Sequence, residues 1–241
     1  MPARNVLVVA TSHDRMGETG HQTGVWLEEL ATPYYALLDG GAQVTLSSIK
    51  GGKIPWDPRS VPAQEGQDTG GASGSQQETP ASVTRFLADS AVMRIAENSP
   101  ALASLEAEPY DAIFLPGGHG PMWDAATDET LARLVGRMFD AGKVVAAVCH
   151  GPAGLVLAKR QDGRSILDGR RVTCFTNTEE EAVGLTQVVP FLLEDRMKAL
   201  GGRFERGGDW QPFAIADGHL ITGQNPQSSE LVARHVLAAL G

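Results

Sequence analysis

The chain predicts an α/β fold on a mostly parallel sheet, and three features carry that reading. Short runs at residues 5–11, 111–115 and 143–148 have the nearly uncharged, continuously apolar character of strands buried on both faces. Each run stops at a polar or glycine-rich stretch, and helical apolar stripes alternate with the strands along most of the sequence. With 241 residues, 42% hydrophobic and 20% charged, the composition is that of a soluble protein able to bury one large core. A single domain over 1–241 is expected.

The strand at 5–11 leads into a polar connection at 12–23, and loops leaving the carboxyl ends of parallel strands line sites in such sheets. A helix is expected from 24 to about 39, stopped by Gly40-Gly41. Its apolar side holds Trp26, Leu30 and Leu37 and, at spacings of three and four, Glu29 and Pro33. Glu28, Thr32, Tyr35 and Asp39 fall on the wetter side. Glu29 therefore faces inward, where desolvation raises a carboxyl pKa, although a boundary glutamate reaching solvent is the blander reading. Pro33 cannot donate to the Glu29 carbonyl, so a kink is expected.

A second strand spans 43–49. Residues 61–82 are mostly Gly, Ser, Gln, Glu, Thr and Pro, too polar to order themselves, and read as a surface excursion or mobile cap after that strand. A helix at 83–98 returns the chain to the body. After the strand at 111–115 comes Pro116-Gly117-Gly118-His119-Gly120-Pro121, where glycines let backbone N–H groups approach a ligand, or simply make a turn. A helix at 128–141, stopped by Gly142, precedes the strand that ends at Cys149-His150-Gly151-Pro152. The remainder reads as a helix at 151–158, a strand at 172–176, three consecutive glutamates Glu179–Glu181 that mark a largely solvated helix start, a helix at 190–200, a hairpin at 213–222 turning on Asp217-Gly218, and a closing helix at 228–240 with His235 in a packing role.

A net charge of −9 excludes an extended basic footprint for nucleic acid or an anionic membrane. Only Cys149 and Cys174 are present, without a C-x-x-C pair, so no disulfide framework or cysteine-based zinc site is expected and a reducing, cytoplasmic setting fits. The apolar N-terminal run is too short for a signal-peptide core or a bilayer span. Cys149 stands where a buried strand turns sharply into a helix, so first-turn N–H groups would favour a thiolate and hold an oxyanion. The alternative is a small buried hydrophobe, but His150 beside it and the close turn that Gly151 permits favour a nucleophile.

The order of these pieces resembles the ThiJ/PfpI superfamily (class I glutamine amidotransferase-like), in its heat-shock glyoxalase III/chaperone branch. The resemblance rests on Thr23-Gly24-Val25-Trp26-Leu27-Glu28-Glu29 with Pro33, Phe114-Leu115-Pro116-Gly117-Gly118-His119-Gly120, Ala146-Ala147-Val148-Cys149-His150-Gly151-Pro152, Phe175-Thr176-Asn177-Thr178-Glu179-Glu180 and Gly223-Gln224-Asn225-Pro226. It implies a flavodoxin-like, doubly wound sheet with helices on both faces. It also implies a catalytic set of Cys149, His150, Glu29 and Glu180, with Glu179 and Glu181 as neighbouring alternatives for the carboxylate that orients His150. Gly117, Gly118, His119 and Gly151 would form the oxyanion and substrate-binding wall. The implied activity is a cofactor-independent and metal-independent glyoxalase acting on small reactive dicarbonyls, with protein deglycase activity a related use of the same thiol. A homodimer is implied, and the competing role is a holdase for unfolded clients or a cysteine-based redox sensor. A cysteine hydrolase, peptidase or amidotransferase fits less well.

Overall fold

The computed structural model describes residues 4–62, 79–105 and 109–241. Most of the low-complexity segment expected at 61–82 thus lies outside the described residues. The strands of the main sheet are β1 (Arg4–Ala10), β2 (Ala42–Ser48), β3 (Ala112–Leu115), β4 (Val144–Val148), β7 (Ala214–Asp217) and β8 (Leu220–Gly223). A separate two-stranded sheet pairs β5 (Arg171–Val172) with β6 (Arg203–Phe204). The main sheet runs β2-β1-β3-β4-β8-β7, parallel throughout except for the β7–β8 hairpin at its edge.

Strand alternation divides the core. Val6, Val8 and Ala10 of β1, Phe114 of β3, and Ala146 and Val148 of β4 pack on one face with α1 (Leu27–Asp39), α2 (Ala81–Ala88), α3 (Ser90–Glu97) and α7 (Ser229–Leu240). Leu7, Val9, Ile113, Leu115, Val145 and Ala147 point the other way, onto α4 (Glu129–Asp140) and α6 (Leu193–Ala199). Burial on both faces is why these strands read as unbroken apolar runs. The expected doubly wound, flavodoxin-like arrangement is present.

Several local expectations change. The helix placed at 83–98 is two helices, broken at Asp89, whose carboxylate caps α3 through the N–H groups of Ala91 and Val92 and accepts from Tyr35 Oη at 3.1 Å. Tyr35 is accordingly buried, covered by Phe86 and the Arg85 guanidinium, and not on a wet face. The first helix begins at Leu27 because Gly24 to Trp26 stay extended: the Val25 N–H donates to Pro55 O at 2.9 Å, and Asp57 N–H returns a bond to Val25 O. It then runs through Pro33 without a break. Residues 151–155 form a short 3-10 turn in place of an α-helix, and only Val172 of the strand expected at 172–176 lies in a sheet. Thr173 instead bonds Thr222 Oγ1 sideways from its backbone.

α5 (Asn177–Ala182) carries two buried glutamates where one was expected. Glu179 closes a capping box with Thr176 and accepts from the Thr176 N–H and hydroxyl through Oε2. Its Oε1 accepts from Trp210 N–H, Gln224 Nε2 and Asn225 Nδ2 at 2.9, 3.1 and 2.9 Å. One carboxylate thereby fastens α5 to the loop at 208–211 and to the chain leaving β8, and it holds Trp210 in a left-handed conformation at φ 59°.

Two stability outcomes follow. Asp89→Ala should lower the unfolding free energy by about 1 kcal/mol in urea, the usual worth of an N-cap. Glu179→Gln turns amide hydrogens toward donors in a dry site and should cost about 3 kcal/mol, whereas the exposed Glu181→Gln should stay within about 0.5 kcal/mol of wild type; similar urea midpoints for these two variants would contradict the assignment.

Candidate active site

β4 is a central strand, so the chain leaving it must turn sharply at the sheet's carboxyl edge. Cys149 makes that turn at φ 58°, a left-handed conformation uncommon for a residue with a side chain. It is clamped there on both sides, its N–H donating to Gly223 O and its carbonyl accepting from Phe175 N–H, each at 2.9 Å. The next turn presses against β3: a Cβ on Gly151 would stand 2.1 Å from Leu115 O. Gly151 is thus a packing requirement of the turn.

The glycine-rich loop after β3 meets this turn. A Cβ on Gly117 would lie 2.5 Å from Glu29 Oε2 and 2.7 Å from the His150 nitrogen, so only glycine lets the three approach. Gly118, at φ 87°, is pressed against Gly24 and Trp26, and its N–H points at the Cys149 sulfur. The expected meeting of loop and thiol is present.

Glu29 is fully buried, as the helical phase predicts. Its Oε2 accepts from Gly117 N–H at 2.9 Å, and its Oε1 is buried without a conventional partner. The Cys149 thiol lies against the same carboxyl group. Burial pushes the Glu29 carboxyl well above the usual carboxylate range, so it keeps its proton. Burial, reinforced by any charge on Glu29, also pushes the Cys149 thiol up. The expected standing thiolate gives way to a thiol at rest, because the backbone N–H of Gly118 is a smaller influence than desolvation.

His150 is fully buried, with Nδ1 3.4 Å from Cys149 Sγ and Nε2 2.7 Å from Glu180 Oε2. An ionised carboxylate only accepts, so His150 carries its proton on Nε2 and leaves Nδ1 open toward sulfur. Glu180, rather than Glu179 or Glu181, is the carboxylate in contact with His150. Burial alone would raise the Glu180 pKa, but the two imidazoles beside it hold it well below the carboxylate range.

The second imidazole belongs to His119, whose Nε2 lies 2.9 Å from Glu180 Oε1. His119, Glu180 and His150 are also the His/Cys/Asp/Glu group, among the described residues, close enough to share a metal ion, with ligand atoms within 4.8 Å. Both carboxylate oxygens already accept an imidazole N–H, so the group's hydrogen bonding is satisfied without an ion.

Asp57-Pro58-Arg59 also belongs to the site, a part the sequence reading does not assign to it. Asp57 is fully buried, accepts from Thr23 Oγ1, and is forked by Arg59, Nε to Oδ1 at 2.9 Å and Nη2 to Oδ2 at 2.8 Å. Burial would raise Asp57, but the fork brings its pKa down. The Arg59 guanidinium sits 6.0 Å from the Trp26 ring centroid, and its charge is felt at Glu180, Cys149 and His119. An acidic residue followed two positions later by arginine across a proline was the available signal.

The chain as a whole is similar to known proteins. "Glyoxalase 3" of Candida albicans is 29% identical over 97% of each chain, and "Glutathione-independent glyoxalase HSP31" of Saccharomyces cerevisiae is 28% identical over 100% of this chain and 99% of its own. The crystal structure of Candida albicans glyoxalase III superposes with a TM-score of 0.85 at 27% identity, covering 98% of this chain and 97% of that one. The Francisella tularensis Rapid Encystment Protein 24 kDa superposes at 0.90 with 39% identity, covering 99% of both. With the DJ-1/PfpI family profile matching residues 22–239 as well, the chain belongs to the DJ-1/PfpI family.

Proposed function

We propose that this chain is a glutathione-independent glyoxalase that converts methylglyoxal or glyoxal to a 2-hydroxy acid through a covalent adduct on Cys149. The observation that carries the reading is the approach of two different proton carriers to one sulfur: His150 Nδ1 at 3.4 Å and the protonated Glu29 carboxyl. The full-length relatives that carry the glyoxalase name support it.

Because sulfur rests as a thiol, its proton passes to His150 Nδ1 as sulfur adds to the aldehyde carbon. Glu180 balances the imidazolium that forms. The carbonyl π pair moves to oxygen, which the Gly118 and His150 N–H groups hold before it takes a proton and the hemithioacetal forms. The former aldehyde C–H is then removed as a proton, giving an enediol, and a proton is returned to the adjacent carbon, with Glu29 and His150 as the two carriers. The aldehyde carbon reaches the acyl level while its neighbour becomes an alcohol, so no external oxidant or reductant enters. Water cleaves the thioester, returning the Cys149 thiol and a 2-hydroxy acid. A Cys-His-Glu set working as a lyase is the finer form of this proposal, and turnover by thiol addition alone also accommodates the reversal of early glycation adducts.

Purified protein treated with chelator and given methylglyoxal without glutathione should produce lactate by NMR, and Cys149→Ala should reduce production to the uncatalysed rate. Lactate formed by the Ala variant at the wild-type rate would remove the nucleophile. Glu29→Gln should lower kcat by about 10²-fold or more, the usual worth of a positioned acid or base.

The same Gln variant has an opposite effect on stability. A carboxyl whose folded pKa is raised keeps its proton while the unfolded chain has lost it, so its contribution is fully present below about pH 4.3 and is lost as pH rises toward the folded value. Glu29→Gln should therefore melt above wild type near neutrality, with the gap closing as the pH approaches about 4. A variant that melts lower at every pH would show that Glu29 is not a buried neutral acid.

A further inference from the structure

We propose that His119 is a positioning residue of the Cys149 site: by donating its Nε2–H to Glu180 Oε1 it pins the carboxylate whose other oxygen holds His150. The inference deepens the glyoxalase reading and rests on its Cys149–His150 pair. It also moves His119 away from the substrate-binding role that the resemblance implies, since its Nε2 is already committed to Glu180.

Glu180 reaches the site from the first turn of a six-residue helix, on a side chain with several rotatable bonds. A single bond to His150 would leave that carboxylate free to pivot, and His150 would turn with it. His119 removes the freedom by occupying the second oxygen at 2.9 Å, with both rings buried and their centroids 4.1 Å apart. Phe175 packs against both, 4.5 Å from the His150 ring and 6.1 Å from His119. His119, pushed down to about 4 by burial and by the neighbouring His150, stays neutral, with Arg59 nearby adding to the same effect. The groups that face it are Glu180, His150 and the Asp57–Arg59 fork. A neutral donor is what the task requires. It orients Glu180 without competing for the proton that His150 takes from sulfur.

Gln and Met match one another in length and differ in the donor, so His119→Gln and His119→Met separate a hydrogen bond from mere packing. Two readouts are used: kcat and KM with methylglyoxal, and the rate of Cys149 alkylation by iodoacetamide, followed by mass spectrometry with a Cys149→Ser protein as the blank for Cys174. His119→Met should lower kcat by about 10²-fold, the scale of a catalytic group misplaced by about an ångström, with KM nearly unchanged. It should slow alkylation in parallel, and His119→Gln should recover most of both. Wild-type rates in the Met variant, or a folded Gln variant as slow as Met, would overturn the proposal. If Met does not fold, Gln alone decides: near wild-type rates support the role, and a loss of about 10²-fold in the folded Gln variant refutes it. Alkylation does not depend on substrate, so absence of lactate from the wild type would sink the glyoxalase reading while the alkylation rates still judge His119.

Discussion

A cysteine held in the left-handed region at the end of a central parallel strand is the constraint to which the rest of this molecule answers. Such backbone costs on the order of 1–3 kcal/mol and persists only where its surroundings over-determine it. Here the surroundings are Gly223 O and Phe175 N–H, which take up both backbone groups of Cys149, and Gly151, which lets the following turn lie against Leu115 O. Relaxing φ would break the junction between β4 and β8 and swing the sulfur away from Gly118 and Glu29. The strain is thus tied to where the sulfur points.

Electrostatics follows from the same burial. The thiol, the Glu29 carboxyl, Glu180 and the two histidines share a volume with little water, where each separate charge is expensive. The arrangement keeps charge low: Glu29 and Cys149 rest protonated, His119 rests neutral, and Glu180 remains ionised because two N–H donors and the nearby Arg59 offset its burial. A proton moved from sulfur to His150 then creates an imidazolium beside an existing carboxylate, which is the one place in the cluster prepared to receive it.

What was legible in the sequence was whatever a one-dimensional period or an abrupt stop records. The parallel strands, the inward phase of Glu29 and the thiol at a strand end are of that kind. Glu180 needed more, because three adjacent glutamates present the same local chemistry and only the tertiary approach of His150 tells them apart. Asp89 hid a helix break inside an apolar period, since a cap acts through its side chain and leaves hydrophobic spacing intact. Thr173 to Thr176 have strand composition, but their backbone is taken by other partners, Thr173 N–H by Thr222 Oγ1 and Phe175 N–H by Cys149 O, so their β-propensity was overridden. The partner of His119 lies 61 residues away, beyond any local pattern, whereas Asp57 has Arg59 two positions on as a local sign and Thr23 at a separation of 34.

The pair Glu179–Glu180 carries this point to its physical conclusion. Successive helical residues leave the axis about 100° apart, so one short turn can send one carboxylate toward the β8 exit and the next toward the histidines. The first is saturated by five donors from the surrounding chain and has no capacity left for chemistry. The second is held by two imidazoles, one of which faces a reactive thiol. Fixing α5 with Glu179 is what allows Glu180, on a helix too short to be rigid by itself, to hold a position set to within a hydrogen bond. Fold and site therefore meet in adjacent residues of identical type, and their roles are separated by the identity of the donors around them rather than by anything intrinsic to glutamate.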